Sequence, residues 1–270
     1  MEFLQALSEH AFLQHAVVAS LLASSACGMV GTYVVVKRIG FLAGGIAHAV
    51  LGGMGAALFF GFSPMFGALA TAIVAALALG LVKLHAREQE DILISAFWAA
   101  GMAVGILFIS RTPGYQVDLM IYLFGNVLLV SKQQLLMMLI LNIVLVVTIV
   151  LFYKQFTAIA FDEEFARLRG LPVTTLYLTL LCLTAVSIVL MIQVVGLILV
   201  IALLTLPAAI SQQYMQTMKS MMGLAVLLGT VFCLLGLGVS YSLDFPSGAT
   251  IILVTTLAYL ASTTVRKLRA

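Results

Sequence analysis

Apolar runs of near-spanning length follow one another along almost the whole chain, at roughly 12–36, 41–62, 64–84, 92–109, 135–153, 173–194, 196–211, 221–242 and 248–264. A hydrocarbon core about 30 Å thick accepts about 20 consecutive apolar residues as one helix. Nine such runs in 270 residues leave no soluble core large enough to bury them. Only 9% of the residues are charged and 63% are hydrophobic, whereas a soluble domain is about one quarter charged. The expected fold is all-α: a polytopic membrane helix bundle of about nine spans, forming a single transmembrane domain over residues 1–270. A tenth run, "LMIYLFGNVLLV" at 119–130, has about 12 residues and is too short to cross. It is expected to be a short or re-entrant outer helix.

The opening residues "MEFLQALSEHAFLQH" carry Glu2 and Glu9, with no Lys or Arg before the apolar run, which is not the pattern of a signal peptide. A formal charge of +3 gives no sign of a nucleic-acid partner. Cys27, Cys182 and Cys233 are dispersed through apolar stretches and indicate neither a disulfide frame nor a zinc cluster.

The basic residues test the layout. With the C-terminal "RKLRA" in the cytoplasm and 119–130 kept on one side, the inner face holds Lys37, Arg38, Lys83, Arg87, Lys154, Arg167, Arg169, Lys219, Arg266, Lys267 and Arg269. The outer face holds only Arg111 and Lys132. This is a strong positive-inside bias, and it places the N-terminus outside. The turns "GFSP", "VVG" and "DFPSG" carry no Lys or Arg and fall outside.

The longest inner connection, 154–172, contains "FDEEFARLRGLP". Asp162 is placed to cap a short helix, Glu163 and Glu164 fill its first turn, and Arg167 and Arg169 lie toward its end. Gly170 and Pro172 stop it. The segment is too polar to enter the bilayer. Ala166 and Gly170 leave a small-residue face for packing; a solvated connector is the plainer alternative.

Ionisable groups at membrane depth are costly and mark candidate sites. Asp118 opens the short outer run and shares a helical face with Tyr122 and Asn126, a stripe suited to a wet cavity. As a plain helix cap, Asp118 has a structural role only. Asp244 reads as part of a turn before Pro246. His48 lies within "GGIAHAVLGG". Gly44, Gly52 and Ala56 share its face, and Gly45, Ala49, Gly53 and Ala57 form an adjacent stripe. Small residues every four positions allow close helix approach, so this span belongs in the interior of the bundle. There a neutral imidazole either bonds a nearby carbonyl as a core histidine or ligates a divalent ion while its other nitrogen is held by an acceptor. Imidazole with carboxylate suits zinc, manganese or iron. His10, His15, His85 and Gln193 are weaker candidates at interfaces and loop ends.

Four stretches together resemble the permease subunit of bacterial ABC importers for zinc, manganese or iron, over nearly the whole chain. "KRIGFLAGGIAHAVLGG" (37–53) is similar to the family's second-span signature. "VDLMIYLFGNVLLVS" (117–131) is similar to its short outer helix. "FDEEFARLRGLP" (161–172) is similar to its cytoplasmic coupling helix, and "VGLILVIALLTLPAAIS" (195–211), with Pro207, to its seventh-span signature. The resemblance implies a homodimer in the bacterial inner membrane with a path at the two-fold axis. It also implies a separate ABC ATPase subunit inside, bound through Asp162, Glu163, Glu164, Phe165, Ala166, Arg167 and Gly170, and an extracytoplasmic metal-binding protein outside. The transported divalent metal ion would pass His48 and Asp118. No cofactor is implied on this chain, and no G-x-x-x-x-G-K-[ST] occurs in it, so ATP belongs to the partner and the chain is not itself an enzyme. Many relatives carry an acidic residue four before the histidine, where this chain has Gly44. Two other readings are a proton-coupled secondary carrier, which needs a membrane carboxylate and usually an inverted repeat, and an ABC permease for a larger metal chelate.

Overall fold

In the computed structural model, residues 10–85, 90–112, 125 and 127–269 are described, and among them every regular element is helical. In chain order these are α1 (Ala11–Val36), α2 (Gly40–Phe59), α3 (Pro64–His85), α4 (Glu90–Arg111), a 3₁₀ turn (Val127–Leu129), α5 (Lys132–Leu151), α6 (Tyr153–Phe161), α7 (Glu163–Leu168), α8 (Val173–Val195), α9 (Leu197–Tyr214), α10 (Met218–Leu243) and α11 (Ser247–Arg269). Helices are the expected answer for lipid, because they satisfy every backbone polar group within the segment. Eight of them, α1 to α5, α8, α10 and α11, are long and apolar enough to cross a bilayer.

The seventh expected span, 196–211, is the helix α9, whose apolar part, Leu199–Tyr214, is shorter than the others. Its 18 residues reach about 27 Å at the usual helical rise. Of the expected outer helix, only Gly125 and 127–130 are described, and Val127–Leu129 form a single 3₁₀ turn. Asp118, Tyr122 and Asn126 lie outside the described residues. One element was not anticipated: α6 precedes α7 within what read as a connection. Phe156 and Ile159, three apart, bury one face of this short amphipathic helix.

The helices fall into two compact units. One comprises the described residues of 1–36, 119–150 and 190–270. Here α1 packs on α9 and α10, which also pack on α11. Much of the contact surface of α1 is small or hydroxylated: Ala16, Ala19, Ala23 and Ala26 are buried with Ser20, Ser24 and Thr32, alongside the larger Leu13, Val30, Tyr33 and Val34. In a bilayer such residues permit close approach, and interhelical hydrogen bonds add to it. Asn142 of α5 donates Nδ2–H to the Leu22 carbonyl of α1 at 2.9 Å, and Ser24 Oγ donates to Cys233 Sγ of α10 at 3.7 Å. At the start of α1, His15 Nδ1 lies 3.2 Å from the Val130 carbonyl, which ties the 3₁₀ turn to this helix. The other unit comprises the described residues of 37–118 and 151–189, and α2 is its central element, packed against both α3 and α4.

Candidate functional site

The small residues of α2 pack against two neighbours, and Ala49 of the second stripe meets α4 at Gly101 as Gly52 does. Gly52 faces Gly101 of α4, and Gly55 faces Gly105 of the same helix. Gly53 faces Gly67 and Thr71 of α3. The approach to α4 is close enough that a Cβ on Gly105 would come within 2.5 Å of the Leu51 carbonyl oxygen. Backbone against backbone at this distance is possible only for glycine.

His48 projects from this crowded helix and is 8% exposed. Its Nδ1 is 2.8 Å from the Gly44 carbonyl oxygen, one turn earlier. A carbonyl only accepts, so Nδ1 carries a proton, and in the neutral ring the lone pair remains on Nε2. This is the arrangement of a ligating histidine whose second nitrogen is held by a backbone acceptor. It equally satisfies a core imidazole. The indole of Trp98 from α4 stacks on the imidazole, with ring centroids 3.9 Å apart and 28° between planes. Phe41, about two turns before His48, packs on the same indole at 6.0 Å. A Cβ added at Gly44 would lie 3.6 Å from Trp98 Cζ3, an ordinary contact, so this position is lined by the indole but not filled. Among the described residues, no three His, Cys, Asp or Glu side chains form a group able to hold a metal ion.

The second candidate region is built around α7. Asp162 is extended and its Oδ1 accepts the Phe165 N–H at 2.9 Å, the expected cap. Glu163 and Glu164 occupy the first turn, as expected. The end of the helix is a Schellman motif: the Gly170 N–H donates to the Arg167 carbonyl and the Leu171 N–H to the Ala166 carbonyl. Gly170 has φ +77°, a left-handed conformation that side chains disfavour. The small-residue face divides, because Ala166 is fully buried within the chain while Gly170 is exposed. Glu164, Phe165, Arg167 and Leu168 face outward, Leu168 with 88% of its surface exposed. Arg169 lies over the Phe165 ring at 4.9 Å.

Glu163 behaves differently from its neighbours. Its carboxylate pairs with Lys37 Nζ at 2.5 Å, within the chain.

Residues 9–266 match the family described as ABC 3 transport family. The chain belongs to the ABC 3 transport family. Like other members of this class it is a multi-pass membrane permease of an ABC transporter, and this removes it from the proton-coupled secondary carriers. It is 47% identical over 259 residues to the membrane protein slr2045 of Synechocystis sp., covering 96% of this chain and 92% of that one. It is 34% identical over 259 residues to the manganese transport system membrane protein MntC of Listeria monocytogenes, with the same coverages of 96% and 92%. The solved structure of PsaBC from Streptococcus pneumoniae in complex with Fab superposes with a TM-score of 0.88 at 29% identity, covering 97% of this chain and 94% of that one.

Within this ABC 3 permease the sequence reading located His48 and the capped helix, but passed over Trp98 and the inward role of Lys37. Trp98 is the only tryptophan in the chain. Its signal was its uniqueness as a tryptophan, in a span that also carries Phe97 and Phe108. Lys37 was counted only as one of many inner-face charges.

Proposed function

We propose that the chain is the membrane subunit of an ATP-driven importer that conducts a divalent transition-metal ion, with manganese first among zinc, manganese and iron, into the cytoplasm. The observation that supports this reading is His48: a buried imidazole in a glycine-lined span, its Nδ1 held by a backbone carbonyl, which leaves the Nε2 lone pair available to a ligand. A conduit must release its ion, so one imidazole with few partners suits transient binding. Asp118 is the carboxylate proposed to act on the same path. The name of the Listeria relative supports manganese as the first ion to try.

In this account two copies of the chain face each other across the path. An ABC ATPase docks on the outward face of α7, through Glu164, Phe165, Arg167 and Leu168, with Asp162 and Gly170 holding the helix in shape. A metal-binding protein delivers the ion from the opposite side. The C-terminus lies on the cytoplasmic side of a bacterial inner membrane, a placement that the distribution of Lys and Arg supports.

The test is uptake by the permease reconstituted with its ATPase and binding protein, offered manganese, zinc and iron in turn. Accumulation of one free ion that needs ATP hydrolysis, and that falls in His48→Ala without loss of assembled complex, supports the reading. ATP-driven uptake of a metal chelate but of no free ion would replace it with the chelate reading.

A further inference from the structure

Lys37 is a buried cation that the importer account so far leaves without a task. It occupies the short link between α1 and α2, and its side chain is 6% exposed. Its ammonium donates to the Ile159 carbonyl at 2.7 Å and to Glu163 Oε1 at 2.5 Å, and it lies 5.2 Å from the centre of the Tyr177 ring. Ile159 is in the last turn of α6, where carbonyls lack helical partners. Glu163 is the first residue of α7, and Tyr177 belongs to α8. One side chain therefore joins three helices to the start of α2.

The chemistry makes this joint stiff. The Lys37 side chain is 6% exposed and that of Glu163 41%, so the ammonium is the group that loses most if the pair parts, keeping then only its bond to the Ile159 carbonyl. Both hydrogen bonds are charge-assisted and short. Asp162 is the single residue between α6 and α7, so displacement of α7 acts directly on the Lys37 partners at both helix ends. Lys37 is three residues from Gly40, where α2 begins, and α2 carries His48 as a continuous helix.

We propose that Lys37 is a positioning residue that passes movement of α7 to the His48 helix, in parallel with the covalent route from α7 through Pro172 into α8. The proposal rests on the reading that an ATPase drives α7. It explains why a lysine is buried at a membrane face where an exposed one would satisfy charge asymmetry, and why the carboxylate of Glu163 reaches Lys37 while Glu164 faces out.

The experiment measures manganese ions taken up per ATP hydrolysed in proteoliposomes containing the permease, its ATPase and the binding protein. Lys37→Met is expected to lower this ratio about fivefold to tenfold, the scale of a coupling residue that touches neither ligand. Lys37→Arg should stay near the wild-type ratio, and Lys37→Glu with Glu163→Lys should recover most of what either change loses alone. Lys154→Met, on the exposed side of α6, should leave the ratio unchanged. A wild-type ratio in Lys37→Met overturns the proposal, as does a loss that neither the arginine variant nor the exchanged pair restores. If Lys37→Met does not assemble, Glu163→Gln keeps the ammonium and its Ile159 bond; a lowered ratio there supports the proposal and an unchanged one overturns it. The docking reading is tested separately by cross-linking Leu168→Cys to the ATPase. Absence of the cross-link removes the premise, whereas a cross-link together with an unchanged Lys37→Met ratio overturns this proposal alone.

Discussion

Replacing Gly101 with valine should disturb the candidate site through packing alone. A Cβ at this position would lie 2.5 Å from the Ala49 Cα and 3.3 Å from the Ala49 Cβ. Carbon atoms settle at about 3.5–4.0 Å, so α4 must withdraw from α2 by about 1 Å. Trp98 is one turn earlier on α4 and stacks on His48 at 3.9 Å, so the same withdrawal loosens that stack. Overpacking of this kind costs about 1–3 kcal/mol, and a lost ring pair about 0.5–1.5 kcal/mol. Valine returns only a few tenths of a kcal/mol in helix propensity over glycine. The two losses overlap, and the net expectation is about 2–3 kcal/mol. Unfolding of the purified full chain by SDS in mixed micelles reads the stability. Trp98, as the only tryptophan, reads the site by its emission in the same samples. Gly101→Ala should fall between the two, because alanine recovers about 1 kcal/mol of propensity. A valine variant with unchanged midpoint and unchanged emission would refute the close α2–α4 contact and the stack that depends on it.

Other perturbations test separate parts of the account. Gly44→Asp places a carboxylate one turn before His48, in space that Trp98 lines at 3.6 Å. It should raise manganese affinity about tenfold, or about 1.4 kcal/mol, in competition with a fluorescent chelator. The same carboxylate should lower stability without metal, because it is buried unpaired; unchanged affinity would put the ion elsewhere. Asp162→Ala removes the cap of a six-residue helix, a loss of about 1 kcal/mol. Amide exchange at Phe165 should speed up about fivefold, and equal exchange would mean that α7 does not depend on its cap. Asn142→Leu gives up the bond to the Leu22 carbonyl and should cost about 0.6 kcal/mol in SDS unfolding. A loss of several kcal/mol would assign that asparagine a larger part than one hydrogen bond.

The spans were legible because a bilayer leaves a helix little choice. The run expected at 64–84 is the helix Pro64–His85, and that expected at 173–194 is Val173–Val195. The cap and stop of α7 were equally plain, since Asp162 and Gly170 each answer one backbone requirement. What the sequence concealed was direction. The periodicity of α2 identifies two faces, but it does not say that Gly52 meets Gly101 while Gly53 meets Gly67. Trp98 could not be set against His48 from spacing, because the two lie 50 residues apart on different helices. Lys37 and Glu163 are farther still, and each had a sufficient local explanation: one as an inner-face cation, the other as a first-turn acid. Helix α6 was missed because its nine residues are too few for periodicity to stand out beside the polar segment that follows.

The central claim is that a divalent metal ion engages His48, and Trp98 stands close enough to report it. Titrating manganese into the purified full chain while following Trp98 emission, with magnesium as the control ion, tests this directly. The account predicts a saturable change with manganese that disappears in His48→Ala. An identical manganese response in His48→Ala, or none in the unaltered chain, would contradict it.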